Sequence, residues 1–223
     1  MGGQACIFCG AAEFSRNLDL AVLLDTDNLT RLRSALEDLQ AEPIAAPALA
    51  IEYLERGHAV HFRCRREDVA GLRIDLMSVM RGVASFSELW DRRTIIQVES
   101  EAVDLLSLED LVRAKKTQRD KDWPMIRRLV EQSYFRNERP TPIKFWLREL
   151  RSPELLIEVS TANMALASQI AEVRPAVRAA LSGSREETAH RLDEEERLER
   201  DLDRDYWEPL KRELEQLRRA RRS

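Results

Sequence analysis

Residues 2–24 read GGQACIFCGAAEFSRNLDLAVLL, and the second half of this stretch decides the fold. Leu18 to Leu24 form an apolar run interrupted only by Asp19, the pattern of a strand that enters a core. In a strand, side chains alternate between faces, so Asn17 and Asp19 project to one side while Leu18 and Leu20 face the core. Two oxygen-bearing side chains thus stand together at the start of the domain. Asp75, between Ile74 and Leu76, repeats the arrangement on a second strand candidate, residues 72–77, and supplies a third oxygen donor. Carboxylates gathered this way suit Mg²⁺, a hard ion that takes oxygen ligands and keeps positions open for phosphate. Before them Gly2-Gly3 stands ahead of a helix, where the lack of a Cβ lets backbone N–H groups approach a phosphate.

Working outward, Leu32, Leu36 and Leu39 mark an amphipathic helix of about three turns, capped by Asp27 or Asn28. His58 to Arg63 alternate as a strand, 94–98 is a fourth strand, and Ser107 caps a helix that begins at Leu108. Pro140, Pro142, Pro153 and Pro175 then punctuate three helical segments. Strands come first and helices later, the order of an α+β domain with a C-terminal helical extension.

Charge is unevenly spread. The 223 residues carry 36 Lys and Arg against 40 Asp and Glu, a net charge of -4. No overall cationic field draws the chain to nucleic acid or lipid, so any such partner must be met by a local patch. Residues 184–223 alone hold 11 basic and 13 acidic side chains, with Leu202, Tyr206, Leu210, Leu214 and Leu217 as one narrow apolar stripe. Such a helix docks on something or pairs with a partner, a second copy included, and Pro209 should break or kink it unless a new helix starts there with Pro in its first turn. No apolar run reaches the ~20 residues of a membrane-spanning helix and the N-terminus has no signal-peptide pattern, so the expectation is a cytoplasmic protein without membrane contact. Three cysteines, Cys6, Cys9 and Cys64, fit a reducing compartment.

A Gly-Gly pair, a spacer, an Asp-containing strand and a later lone Asp between apolar residues resemble the signature of the DNA polymerase β-like nucleotidyltransferase superfamily, in its bacterial minimal and abortive-infection toxin-like branch. The segment LEDLVRAKKTQRDKDWPMIRRLVE resembles that branch's later helix at Lys115, Arg119, Lys121 and Asp122. The resemblance covers residues 2–133. It implies a nucleotidyltransferase-like mixed sheet flanked by helices at 1–135, followed by a helical extension at 136–183 and a charged helix at 184–223. It also implies transfer of a nucleoside monophosphate from a nucleoside triphosphate to a hydroxyl on RNA, protein or a small molecule, in a toxin of a toxin–antitoxin pair or a phage-defence component. Asp19 and Asp75 become the Mg²⁺ ligands, Asp75 also the base; Gly2, Gly3, Ser15 and Arg16 hold the triphosphate, and Lys115, Arg119 and Lys121 neutralise phosphate charge. Two departures stand out. Asn17 occupies the place of the family's first catalytic carboxylate, keeping an oxygen for the metal but no charge. Family members also carry residues ahead of the glycine pair, which implies a missing supporting segment or a start assigned too late. The alternative is therefore a catalytically impaired nucleotide-binding or interaction protein of the same fold.

Each residue also has a plainer reading. Asp19 and Asp75 could be surface carboxylates, but each sits between apolar neighbours, where an unpaired charge is costly. The glycines could mark a flexible terminus, and Lys115 to Asp122 a solvated helix end. Cys6 and Cys9 read as two buried small side chains in the helix after Gly3, because no second pair completes a zinc site. His58 and His61 lie three apart on a strand, face opposite sides and make no chelating pair. Arg56, Arg63, Arg65, Arg66, Arg113, Lys115 and Lys116 form a basic set that suits either an RNA acceptor or solvent. Trp123, Trp146 and Trp207 read as packing or docking anchors.

Overall fold

The computed structural model describes residues 1–136 and 143–220, and the chain divides into two compact units. The first comprises Met1–Phe8, Ala12–Ala114 and Asp205–Ser223; the second comprises Cys9–Ala11 and Lys115–Arg204. The chain is α+β, with a small mixed sheet, flanking helices and a long C-terminal helix.

In the first unit, α1 (Gly2–Phe8) leads into β1 (Asn17–Ala21), followed by α2 (Thr26–Asp38), β2 (Glu42–Pro43), α3 (Ile51–Glu55), β3 (Val60–Arg63) and β4 (Arg73–Met77). The strands lie in the order β1-β4-β3-β2, with β1 parallel to β4 and the other pairs antiparallel. A parallel pair needs a long crossover, which the chain from α2 through β3 supplies. Period-two alternation sorts the sheet's faces. Val60, Phe62, Ile74 and Leu76 are buried with Val22, Leu29, Leu36, Leu54 and Cys64 in one core. Truncating a fully enclosed Leu such as Leu54 or Leu76 to Ala should cost about 2–5 kcal/mol. The opposite face carries Asn17, Asp19, His61, Arg73 and Asp75.

The amphipathic helix predicted at 28–39 is α2, with Leu29 and Leu36 buried and Leu32 and Leu39 packed beside them. Its cap is a correction: Asp25, not Asp27 or Asn28, accepts the Asn28 N–H at 2.6 Å. Asp25 is extended while residues from Thr26 onward are helical, so only its carboxylate can reach back over the first turn. The strand predicted at 94–98 forms, as β5 (Thr94–Val98), but outside the main sheet. It pairs with β6 (Glu101–Leu105) in a hairpin of its own. Sequence reading missed β6 because Glu99-Ser100 lacks the usual Asn-Gly turn signature; Glu99 itself takes φ +55°. Beyond α4 (Phe86–Asp91) and the hairpin, α5 (Leu108–Lys115) starts where expected, with Ser107 Oγ accepting the Asp110 N–H at 3.2 Å.

The second unit is helical: α6 (Asp122–Arg136), α7 (Ile143–Glu149), α8 (Pro153–Ala162), α9 (Met164–Ala171), α10 (Pro175–Leu181) and the first part of α11 (Arg185–Ala220). Pro153 and Pro175 each occupy a first helical turn, where a missing N–H costs nothing. Between Ile143 and Leu181 there are four helices rather than the expected three, because Asn163 interrupts the segment between Pro153 and Pro175. Pro140 and Pro142 lie outside the described residues.

Pro209 does not end the last helix, contrary to expectation: α11 runs through it for 36 residues. Proline removes one helical hydrogen bond, a cost of ~3 kcal/mol or more that neighbouring contacts must offset. Those contacts lie on either side of it. Leu210 is buried, and the Tyr206 hydroxyl covers Gly57, where an added Cβ would come within 2.4 Å of it. Glu213 bonds His58 at 2.8 Å and Arg56 at 3.0 Å. From Tyr206 onward the stripe thus packs within the first unit, whereas Leu202 is 47% exposed. Among the described residues, no helix is long and apolar enough to cross a membrane.

Candidate functional site

The polar face of the sheet brings together the residues that strand alternation put there. Asn17, Leu18 and Asp19 of β1 stand in register with Arg73, Ile74 and Asp75 of β4, so Asp19 and Asp75 are direct neighbours across a parallel pair. His61 of β3 is the register partner of Asp75 on its other side. Asn17 and Asp19 are half-buried; Asp75 is 4% exposed.

A carboxylate so enclosed must be compensated. His61 Nδ1 lies 2.7 Å from Asp75 Oδ1, Arg73 Nε donates to the same oxygen at 2.7 Å, and Asn17 Nδ2 donates to Oδ2 at 3.2 Å. With the Nδ1 proton given to Asp75, Arg73 Nη2, 3.1 Å from that nitrogen, makes no bond to it. Burial alone would push the Asp75 carboxyl up, but the His61 and Arg73 hydrogen bonds and charges outweigh it and hold the group below the usual carboxylate range. Asp75 is therefore ionised at neutral pH.

The glycine pair belongs to this site for a reason the sequence did not reveal. Gly2 takes φ +65°, and a Cβ there would fall 2.0 Å from Asp19 Oδ2 and 2.7 Å from its Cβ. The Gly3 N–H donates to Asp19 Oδ2 at 3.3 Å, and a Cβ on Gly3 would stand 2.4 Å from Ser15 Oγ. Ser15 fixes the approach to β1: its Oγ donates to the Asn17 carbonyl at 3.0 Å, and Gln4 Nε2 donates to its carbonyl at 3.4 Å. Arg16 is exposed, its guanidinium 5.9 Å from the centre of the Phe14 ring. Gly2, Gly3, Ser15, Asn17, Asp19 and Asp75 thus form one connected site.

Whether Mg²⁺ suits these donors is a matter of charge. Asp19 and Asp75 bring two negative charges, Asn17 brings none, and Arg73 returns one positive charge against Asp75. Asp19, Asp75 and the Asn17 side-chain oxygen could supply donors for one hard cation at most, and not for a pair of ions. Among the described residues, no group of three or more His, Cys, Asp or Glu stands at metal-binding spacing.

Lys115, Arg119 and Lys121 belong to the second unit. Two of them surround Asp122, which is 2% exposed: Lys115 Nζ reaches Oδ1 at 3.4 Å, while Arg119 Nε and Thr117 Oγ1 reach Oδ2 at 2.8 and 2.6 Å. Burial raises the Asp122 carboxyl, and Lys115, Thr117 and Arg119 together overcome this and hold it low. Lys121 is exposed. Asp122 is a structural anchor for the segment, a role that sequence reading had not assigned.

Other expectations need correction or refinement. Cys6 is buried in α1, but Cys9 is half-exposed and lies past its end; none of the three cysteines is in a disulfide. His58 precedes β3 rather than lying in it, and is fully buried against Glu213. Much of the basic set is paired internally, Arg56 with Glu213, Arg65 with Glu42, Arg66 with Asp68 and Lys116 with Glu149, all within 3.0 Å. Trp123 is buried, its indole N–H on the Thr117 carbonyl; Trp146 and Trp207 are half-buried. His61 and Arg73 are the site residues that sequence reading missed. The signal was present, because period-two alternation puts both on the face of Asp75.

Compared with family models, curated proteins and solved structures, the chain finds no match in any of the three.

Proposed function

We propose that the chain is a nucleotidyltransferase-like enzyme that passes a nucleoside monophosphate from a nucleoside triphosphate to a hydroxyl on RNA, protein or a small molecule. The observation that carries this reading is the register pair Asp19–Asp75, with Asn17 beside it and two glycines packed directly against Asp19. The acceptor oxygen forms a bond to the α-phosphorus, the bond from that phosphorus to the pyrophosphate oxygen breaks, and the hydroxyl proton passes to a carboxylate. Asp75, kept ionised by His61 and Arg73, is that acceptor. Arg16, with the backbone N–H of Gly2, steadies the triphosphate, and Ser15 holds the loop that carries Arg16. Mg²⁺, held by Asp19, Asp75 and Asn17, would neutralise charge on the transferring phosphate. A toxin or phage-defence role, with an antitoxin as partner, is the biological setting this chemistry suits.

A second reading has a specific observation behind it: Asn17 lacks the carboxylate's charge and spends its amide on Asp75, while Arg73 already neutralises part of the site. On that reading the chain binds nucleotide without turning it over. Release of pyrophosphate from each of the four triphosphates, with and without Mg²⁺, decides between them. Wild type should turn over slowly with Mg²⁺, Asp75→Ala should abolish it and Asn17→Asp should raise it. Triphosphate binding without product in wild type, with product appearing in Asn17→Asp, selects the second reading; no binding at all sinks both.

A further inference from the structure

The loop between α1 and β1 presents Phe14 in a position that packing does not explain. Phe14 is 72% exposed, the highest value among the first unit's large apolar side chains; the next, Ile95, is 53% exposed. Burying a Phe side chain is favourable, and this one forgoes most of that gain. The loop is nevertheless not free to wander. Ser15, the next residue, is tied at its hydroxyl to Asn17 and at its carbonyl to Gln4, and its hydroxyl sits where a side chain on Gly3 would be. Phe14 is therefore held next to Ser15, which abuts Gly3 and the start of β1. Arg16 places its guanidinium over the ring at 5.9 Å, the outer limit of a cation–π contact, so the ring face is only loosely covered. An exposed aromatic face beside a cation matches a nucleotide, whose base stacks on the ring while Arg16 turns to a phosphate.

We infer that Phe14 is the base-stacking residue of this site, and that the site takes nucleotides by their aromatic face rather than by base edges. The inference rests on the nucleotide reading above. Stacking is tolerant of sequence, so all four triphosphates enter, with purines favoured over pyrimidines by their larger ring area.

Calorimetric titration of the full chain with ATP, UTP and inorganic tripolyphosphate, for wild type, Phe14→Ala, Phe14→Trp and Arg16→Ala, tests it. ATP should bind wild type more tightly than UTP, and both more tightly than tripolyphosphate. Phe14→Ala should weaken ATP about 5- to 100-fold and leave tripolyphosphate unchanged, and Phe14→Trp should restore ATP binding. Arg16→Ala should weaken ATP and tripolyphosphate alike. Being exposed, Phe14 should tolerate all these changes without loss of thermal stability. If ATP binds and Phe14→Ala leaves it unaffected, or weakens ATP and tripolyphosphate equally, the stacking role is overturned while the nucleotide reading stands. If wild type binds neither ATP nor tripolyphosphate, the nucleotide reading fails and the stacking role with it.

Discussion

Gly2→Ala perturbs the site at its tightest contact. The new Cβ would lie 2.0 Å from Asp19 Oδ2, 2.4 Å from Cγ and 2.7 Å from Cβ, so rotating the carboxylate alone leaves a clash at the Asp19 Cβ. The positive φ of residue 2 adds roughly 1–2 kcal/mol for any residue with a Cβ. Losing the Gly3 N–H bond to Asp19 adds about 1 kcal/mol, for a total near 2–3 kcal/mol before relaxation. Gly71→Ala is the control: Gly71 has φ +85° but nothing within 4 Å of an added Cβ, so it bears the backbone cost alone. Urea unfolding should move the Gly2→Ala midpoint down by about 1 M or more, at an m of roughly 1–3 kcal/mol/M, and Gly71→Ala by less. In Gly2→Ala combined with Asp19→Ala the contacts with Oδ2 and Cγ are gone and only the 2.7 Å approach to the residue-19 Cβ remains, so the two costs should fail to add by about 1 kcal/mol. A Gly2→Ala protein no less stable than Gly71→Ala, or strict additivity with Asp19→Ala, would refute the packing of the glycine pair on Asp19.

Glu213→Ala leaves the fully buried His58 with no partner at Nε2 in addition to an Nδ1 that already lacks one, and should destabilise by about 1–3 kcal/mol by urea titration; an unchanged midpoint would show that the tail is not docked through this contact. Asp75 and Asp110 in the first unit and Asp122 in the second all have carboxyls held below their unfolded values. A depressed carboxyl contributes stability that is present above its unfolded pKa, about 4, and is lost as pH falls through the lower folded value. Unfolding midpoints should thus be flat from pH 7 to about 5 and drop steeply below about 4, a drop that Asp110→Asn makes shallower while lowering stability at pH 7, because Arg92 then loses its two bonds to the carboxylate.

The sheet was legible because period-two alternation is strong in β3 and β4, where Val60, Phe62, Ile74 and Leu76 face inward without exception. The same alternation put Asn17, Asp19 and Asp75 on one face. What it could not convey was compensation between strands. Arg73 and His61 look like ordinary alternating polar positions until β3, β4 and β1 are aligned, and the register is a property of three segments together. Gly2 illustrates the same limit: its need for a bare Cα comes from Asp19, on the far side of the α1–β1 loop, not from a phosphate. Pro209 misled because helix breaking is a local rule, while Tyr206, Leu210 and Glu213 are held by distant residues, Gly57 and His58 among them. In β6, two acidic residues and an unusual turn concealed a strand that its partner β5 defines.

The most direct test of the site is a crystal structure of the chain grown with Mg²⁺ and a triphosphate that cannot be cleaved between its α- and β-phosphorus. The account predicts a single ion on Asp19 and Asp75 with phosphate oxygens completing its shell, and the base against Phe14. An ion or nucleotide bound elsewhere, with Asp75 still closed on Arg73, His61 and Asn17, would contradict it.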